Sequence, residues 1–447
     1  MKAFKAYDIR GVWNKDFNAD DVYRIGFFLP IVLKADLVLV GRDCRLSSDE
    51  VFEALCKGIT DSGASVADAG STTTPTIYWA TAKFGYPASV MITASHNPKD
   101  HNGLKVSSSD ALPVGYDNGL NEIENLVESG LIQVVSTRGI VSKVDVKTAY
   151  NLFLKDYKCD FTGLKIGMDC SNGMASLYCH PLFGEDIFYI NDEADGNFPG
   201  HEPNPLEPEN QGQIKEIVLK NHCDVGVIFD GDADRVMLID ENGKFVSPDL
   251  IIALMGHYFF EEKKLKGEVL QDIRSSRAVG EYLKQFGANV KTWRVGRAYG
   301  AGKLREIDGL FGGELAGHYY FREFYYSDSG MLAALIVLGL LAKFKKEGFK
   351  FSELIQRISD YHNSGEINFK IERKQEVMDA IKSHFSEQQK PESFMDFDGY
   401  RLDYQDFWLN IRPSNTEPYL RFIAEARSKE KLDTIINEVR HIVKTYS

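Results

Sequence analysis

Three times along the chain the sequence repeats one pattern: a short apolar strand ending in Asp, a small polar turn, a helix, a glycine and a further strand. In the first copy, Leu37-Val38-Leu39-Val40-Gly41-Arg42-Asp43 leads to a helix from about Ser48 to Asp61 and then Gly63. In the second, Lys165-Ile166-Gly167-Met168-Asp169 leads through Cys170-Ser171-Asn172-Gly173 to a helix. In the third, Glu268-Val269-Leu270-Gln271-Asp272 leads through Ile273-Arg274-Ser275-Ser276 to a helix that reaches Gln285 and closes at Gly287. Strands alternating with helices at this spacing predict βαβ units and mainly parallel sheets. The tail departs from the pattern. From about Asn368 it reads strand, helix (Gln375 to Phe385), strands around Phe407-Trp408-Leu409-Asn410, and a last helix (Glu430 to Tyr446), which predicts a small α+β domain.

Composition narrows the function classes. At about 100–200 residues per domain, 447 residues predict three or four domains. Hydrophobic content of 43% and charged content of 26% are those of a soluble globular protein. The six cysteines are scattered, with no close C-x-x-C pair, which argues against a disulfide or zinc framework and for a reducing compartment. The first residues show no apolar h-region, so no signal peptide is expected. The run Met331 to Ala342 falls short of the ~20 residues that span a bilayer and predicts a buried helix. A net charge of −13 argues against a nucleic-acid binder, whose affinity comes from excess Lys and Arg.

Each repeat also contains a later strand that runs into an unusual loop. Ala88-Ser89-Val90-Met91-Ile92 precedes Thr93-Ala94-Ser95-His96-Asn97-Pro98; Asp224 to Phe229 precedes Asp230-Gly231-Asp232-Ala233-Asp234-Arg235; Leu310-Phe311-Gly312-Gly313 precedes Glu314-Leu315-Ala316-Gly317-His318. Ligands of open α/β sheets bind at the carboxyl ends of strands. Three such loops pointing inward would line one shared cleft.

Asp230, Asp232 and Asp234 repel one another unless a cation sits among them, and hard oxygen donors suit Mg²⁺ or Ca²⁺. An EF-hand loop would also read D-x-D-x-D with Glu241 at its twelfth position, but Arg235 stands where its sharp-turn Gly belongs and a strand precedes it. A solvated acidic turn is the plainer alternative. Ser95 has His96 beside it, yet adjacent side chains usually diverge, and no G-x-S-x-G elbow surrounds it. A phosphoserine there would carry about two negative charges and could share a cation with the aspartates. Lys105, in Asn102-Gly103-Leu104-Lys105, adds a cation that could do acid–base work or neutralise phosphate, or be an ordinary exposed lysine at a strand start. Arg412-Pro413-Ser414-Asn415-Thr416, with Arg421 on the next strand, offers the donor set of a phosphate site, or a plain loop.

Taken together, these segments resemble the α-D-phosphohexomutase family, in particular its bacterial phosphomannomutase/phosphoglucomutase branch. Phe4-Lys5-Ala6-Tyr7-Asp8-Ile9-Arg10-Gly11 is similar to the family's N-terminal loop. Thr93 to Pro98 is similar to its phosphoserine loop, Asp230 to Arg235 to its metal loop, Glu314 to His318 to its sugar loop and Arg412 to Thr416 to its phosphate loop, in the family's order. Asp195-Gly196-Asn197-Phe198-Pro199 and Pro203-Asn204-Pro205-Leu206 point to the phosphomannomutase branch. The resemblance implies three similar mixed-sheet α/β domains (residues 1–145, 146–247 and 248–362) and an α+β domain (363–447) around one central cleft. It implies a cytoplasmic isomerase, monomer or dimer, that acts on a small hexose phosphate and binds neither nucleic acid nor membrane.

It also implies roles. Ser95 carries the phosphoryl group and, with Asp230, Asp232 and Asp234, holds Mg²⁺. Lys105 is the general acid/base, Arg10 and Arg235 steady the transferring phosphate, and His96 is counted among the catalytic residues. Tyr7, Arg274, Arg297, Glu314, Ala316, His318, Arg412, Ser414, Asn415, Thr416 and Arg421 bind substrate, with hexose 1,6-bisphosphate as intermediate and activator. Three positions depart from the family pattern. Ala316 stands where a serine is usual, Arg297 where a catalytically implicated histidine is usual, and Arg274 where many members have lysine. The expected reaction interconverts mannose 6-phosphate and mannose 1-phosphate, with glucose phosphates as second substrates. A phosphoglucosamine mutase and a non-catalytic phosphosugar-binding homologue are the alternatives.

Overall fold

The computed structural model describes residues 1–414 and 419–446, arranged as four sheets, each with its own helices. In the first sheet Leu37–Arg42 lies parallel to both Ser65–Ser71 and Ala88–Ile92. His101–Ser108 then returns antiparallel to Ala88–Ile92, and Ile9–Val12 joins its far edge. In the second, Ile166–Asp169 lies parallel to Val225–Phe229, against which Val236–Asp240 runs antiparallel. In the third, Glu268–Asp272 lies parallel to Phe311–Gly313, against which Tyr319–Phe321 runs antiparallel.

The three sheets are therefore mixed, parallel strands joined in each by an antiparallel return, and the reason is local. Each functional loop is too short to cross over a sheet face, which takes a dozen or more residues, so the strand after it must pair back on the strand before it. The three loops are hairpin tips at one end of each sheet.

Local chemistry accounts for the helices. Asn18 caps Ala19–Leu33 by accepting from the Asp20 and Asp21 N–H groups, while Asp21 accepts from the Asn18 N–H. This helix packs on Ser48–Asp61 at Gly58, where a Cβ would come within 2.1 Å of the Tyr23 carbonyl oxygen. The third repeat helix is shorter than its periodicity predicts. Its α-helical part is Arg277–Leu283, and a 3₁₀ turn over Lys284–Phe286 carries the chain to Gly287 at φ +72°. The apolar run from Met331 lies in Gly330–Lys346, a helix buried almost all round.

The cores divide the molecule unequally. One continuous apolar cluster joins the first three sheets, from Trp79 and Met91 through Met168 and Phe229 to Phe311 and Leu335. The fourth sheet is antiparallel apart from that cluster and packs helices Lys374–Gln388 and Lys429–Thr445 over its own core, including Ile381, Leu409, Phe422 and Val439. Arg401 bridges the two bodies, donating to the Ile273 and Ser275 carbonyls at 2.7 and 2.8 Å. Among the described residues no helix is long and apolar enough to cross a membrane.

Candidate active site

Ser95 sits in the left-handed region at φ +52°, a conformation that costs a non-glycine residue about 1–3 kcal/mol and persists only where its surroundings enforce it. Thr93 Oγ1 accepts from the Ser95 N–H at 2.8 Å. Arg45 does more. Its buried guanidinium donates to the carbonyls of Ser95 (2.9 Å), Asn97 (2.6 Å), Pro98 (2.6 Å) and His101 (3.1 Å), and Asp43 accepts from its Nε at 3.1 Å. The loop is thus wrapped round one arginine. From below, Gly231 lets the aspartate loop approach so closely that a Cβ there would stand 2.6 Å from the Ser95 carbonyl oxygen.

That approach brings Ser95 Oγ to 2.8 Å from Asp230 Oδ2, as donor. Asp230, Asp232 and Asp234 are fully buried and present one carboxylate oxygen each within 4.8 Å of one another. Oδ1 of Asp232 and of Asp234 is buried without a hydrogen-bond partner. Burial, then Asp234 and Asp232, pushes the Asp230 carboxyl well above the usual carboxylate range. Burial and Asp232 raise Asp234 too, whereas Lys105 outweighs burial at Asp232 and holds it low. Unpartnered oxygens on a carboxylate trio with too little positive charge fit a hard divalent cation. A second acidic group, Asp234 with His318 and Asp328, fits less well, because His318 Nδ1 and Arg297 Nε already reach Asp328 at 2.6 and 3.1 Å.

Lys105 is neither exposed nor at a strand start. It lies in the middle of His101–Ser108, buried, with Nζ donating to Asp232 Oδ2 at 2.6 Å and to Asp234. Burial opposes its charge, but the two aspartates outweigh that and hold its pKa well above the usual lysine range. Here Lys105 is an ammonium and a proton donor. His96 does not diverge from its neighbour: Nδ1 lies 3.3 Å from Ser95 Oγ. The same nitrogen meets the Arg235 guanidinium, which opposes its use as a base. Arg235 reaches back to Asp230 at 3.3 Å, and burial followed by the charge of Arg10 pushes its pKa down to about 10. Arg10 pairs with Asp8 and donates to Asn97 Oδ1 at 2.9 Å. Two further guanidiniums thus contact the neighbours of Ser95, Arg10 at Asn97 and Arg235 at His96 and Asp230.

The third loop faces this centre. Glu314 is buried, accepts from the Tyr320 hydroxyl and from the Gly296 N–H at 3.2 Å, and is pushed up chiefly by burial. His318 is joined to Arg235 by a β-bridge. Arg297 stands 3.5 Å from the Tyr78 ring centroid, a cation–π contact between the third domain and the first, while Nη2 is buried without a partner. Ala316 is half-buried, and no side-chain contact explains the missing hydroxyl. Tyr7 lies edge-on to Tyr299 at 5.4 Å, and burial followed by Tyr299 raises its hydroxyl to about 12. Arg274 pairs with Asp272 at 2.7 Å and comes within 4.0 Å of Glu314.

On the fourth domain, Arg412 and Arg421 face each other across paired strands, and the Ser414 N–H donates to the Tyr419 carbonyl at 2.9 Å. Asn415 and Thr416 lie outside the described residues. The structure thus brings Tyr7, Arg10, Ser95, His96, Lys105, the three aspartates, Arg235, Arg274, Arg297, Glu314 and His318 into one contact network, with Arg412 and Arg421 at its rim. Arg45, Tyr78, Asp328 and Glu366 take part without having been picked out from the sequence. Only Arg45 left a local signal, in Arg42-Asp43-Cys44-Arg45 directly after the first repeat strand.

The chain is similar to known proteins along nearly its whole length. Family models described as phosphoglucomutase/phosphomannomutase match in four parts: α/β/α domain I over residues 1–132, domain II over 148–243, domain III over 247–361 and the C-terminal domain over 366–442. A phosphomannomutase of Methanocaldococcus jannaschii is 34% identical over 451 residues, covering 99% of this chain and 98% of its own. One of Escherichia coli K12 is 33% identical, covering 96% and 95%. A solved phosphoglucomutase/phosphomannomutase family protein of Burkholderia thailandensis superposes with a TM-score of 0.89 at 26% identity, covering 100% of this chain and 97% of its own.

Proposed function

We propose, since this chain belongs to the phosphoglucomutase/phosphomannomutase family, that it moves a phosphoryl group between C6 and C1 of a hexose phosphate by way of phosphorylated Ser95. Mannose phosphates are the leading substrate and glucose phosphates the second, in keeping with the phosphomannomutase names of its relatives. The observation that carries this reading is the 2.8 Å contact of Ser95 Oγ with Asp230, inside a buried carboxylate trio with unpartnered oxygens.

Asp230, Asp232, Asp234 and the phosphorylated serine would hold Mg²⁺, which when bound offsets the charge of the phosphoryl oxygens. The rest falls to the chain's own side chains. The P–O bond to Ser95 breaks as a hydroxyl of the sugar forms a new one, and Arg10 and Arg235, which contact the neighbours of Ser95, hold the phosphoryl oxygens in line. Proton count is balanced: the hydroxyl loses one and Ser95 Oγ gains one, which it donates to Asp230. Lys105, an ammonium between Asp232 and Asp234, gives Ser95 Oγ its proton as the P–O bond breaks and, then neutral, takes up the one that the sugar hydroxyl loses. The resulting hexose 1,6-bisphosphate turns round and returns its other phosphate to Ser95. Glu314 grips two adjacent sugar hydroxyls in both orientations, His318 joins it, and Tyr7 and Arg297 close the cleft wall. Arg274, Arg412, Ser414 and Arg421, with Asn415 and Thr416, hold the phosphate that is not moving.

Coupled assays with the 6-phosphates of mannose, glucose and glucosamine, each with a bisphosphate activator, test the substrate. Turnover of glucosamine phosphate alone would replace this reading with the phosphoglucosamine one. Intact mass tests the route: a phosphate-sized increment on Ser95 that disappears with excess substrate supports it, and its absence from an active protein overturns it.

A further inference from the structure

Residues 191–207 of the second domain contain neither helix nor strand, a span longer than the ~12–15 residues beyond which an irregular loop usually carries a function. Asp195 to Pro199 and Pro203 to Leu206 lie in it, and the reaction derived above gives them no task. The loop is nevertheless tied down. Asn172 accepts from the Gly200 N–H at 3.1 Å through its side chain and from the Asp195 N–H at 2.9 Å through its carbonyl, and its Nδ2 donates to the Glu193 carbonyl at 3.0 Å. His201 meets Asp169 at 3.0 Å, and Phe198, Pro203 and Pro205 are buried. Phe198 keeps φ +50°, a left-handed conformation that a bulky residue holds only where its surroundings enforce it.

The loop lies against the support of Ser95. Gly196 approaches the first domain so closely that a Cβ there would stand 2.3 Å from the Cys44 carbonyl oxygen and 2.8 Å from Arg45 Cα. Two residues on, the Phe198 ring has the Arg45 guanidinium over its face, with Cζ 5.1 Å from the ring centroid. Arg45 commits its five N–H groups to the Asp43 carboxylate and to the carbonyls of Ser95, Asn97, Pro98 and His101. Those bonds are made in the guanidinium plane. An aromatic ring against its face adds a restraint of another direction, opposing any tilt of the plane off its carbonyls. Farther along the loop, Pro203 Cβ lies 3.2 Å from where a Cβ on Gly231 of the aspartate loop would be. One loop of the second domain thus touches both of the parts that bring Ser95 to Asp230.

We propose that Phe198 is a positioning residue for phosphoryl transfer: its ring, delivered by the second domain, holds the Arg45 guanidinium at the angle from which it shapes the Ser95 loop. This rests on the mutase reading given above. Ser95 and the aspartates come from different domains, and a reacting atom misplaced by about 1 Å loses much of its rate. Phe198 acts through Arg45, while Pro203 beside Gly231 keeps the aspartate loop in the same frame. The contact governs where Ser95 stands and not how the sugar is held, so its loss falls on kcat.

Phe198→Leu keeps an apolar side chain and removes the ring. The kcat for hexose phosphate should fall about tenfold with KM within about twofold, and Phe198→Tyr, which restores the ring, should recover most of that loss. Hydrogen exchange of the unliganded Leu variant reads the same contact without turnover. Amides of residues 93–101 exchange about tenfold faster, and those of the helix Gly330–Lys346 change far less. Should Phe198→Leu fail to fold, Phe198→Met, which also lacks the ring, takes the same measurements. A loss that lies in KM and not in kcat overturns the proposal, as does a Tyr variant no better than the Leu one. Unchanged exchange at 93–101 overturns it too, and so does equal loosening of Gly330–Lys346, which would make Phe198 a general support of the fold. If the unaltered protein turns over no hexose phosphate, the mutase reading is lost, while the exchange data still decide whether Phe198 holds the Ser95 loop.

Discussion

In the proposed reaction the cleft handles anions at two ends, and the ends are built differently. At one, Ser95 and the aspartates are all but inaccessible to solvent and are fixed by contacts of 2.6 to 2.9 Å from Arg45, Asp230 and Lys105. These residues belong to domains joined by one apolar core. At the other end, Arg274, Arg412 and Arg421 share Glu366 at 3.1 to 3.8 Å, across a boundary between two separate cores. The difference follows from what each end must do. Bond exchange loses rate steeply when atoms stray by about 1 Å. Holding a phosphate that must be let go and taken up again tolerates play and benefits from it.

The largest expected effect is at the tight end. Asp230→Asn lowers kcat roughly 10³-fold or more, yet leaves Tm in metal-free buffer unchanged or higher, because it removes a buried charge that its neighbours repel. A Tm lower by several degrees would mean that the trio supports the fold, and the contrast between the two ends would break.

Arg45→Lys comes next. A lysine cannot span four carbonyls, so kcat falls about 10²-fold and unfolding free energy by about 2–4 kcal/mol. Hydrogen exchange should rise across residues 93–101. Unchanged exchange there would sink the wrapping role.

At the loose end, Arg412→Lys raises KM for hexose phosphate about tenfold with kcat within about twofold, because binding energy is lost equally from ground and transition states. A comparable loss in kcat would show that the two ends are equally committed to the chemistry.

The smallest effect lies in the frame. His201 Nε2 meets Asp169 at 3.0 Å. Burial opposes the imidazolium, but Asp169 outweighs it, so the folded pKa is raised above the usual value. Its stabilising contribution is complete below the unfolded pKa and is lost as pH rises through the folded one. Tm should fall by roughly 1–2 °C between about pH 6 and pH 8, and His201→Gln should abolish that slope. A fall that persists in the variant belongs to another group.

How much of this was legible in the sequence depended on whether a feature was local. The repeat strands, the buried helix after Gly330 and the Asp230-Gly231-Asp232-Ala233-Asp234 loop are set by neighbours a few positions away, and all could be read. The antiparallel return of each loop could have been read too, since loop length alone dictates it. Arg45 was missed because its partners are backbone carbonyls, which carry no side-chain identity. Asp328 and Glu366 were missed because each looks like any other acid until His318 and Arg297, or three arginines, are brought to it. For Lys105 the local sequence left an exposed lysine as open as a catalytic one, because burial of a lysine is favourable only when distant aspartates are waiting for it.

By itself the sequence determined which atoms are available: one serine and three carboxylates in a row, each in a loop at the tip of a strand, and a set of guanidiniums. Tertiary structure decided what state those atoms are in. Ser95 gains its partner from Asp230 in another domain, Lys105 keeps its proton because Asp232 and Asp234 outweigh its burial, and Arg412 feels Arg274 across a domain boundary. Residue identity is written one position at a time. Charge and reactivity are set by desolvation and by distance, and both exist only once the chain has closed around the cleft.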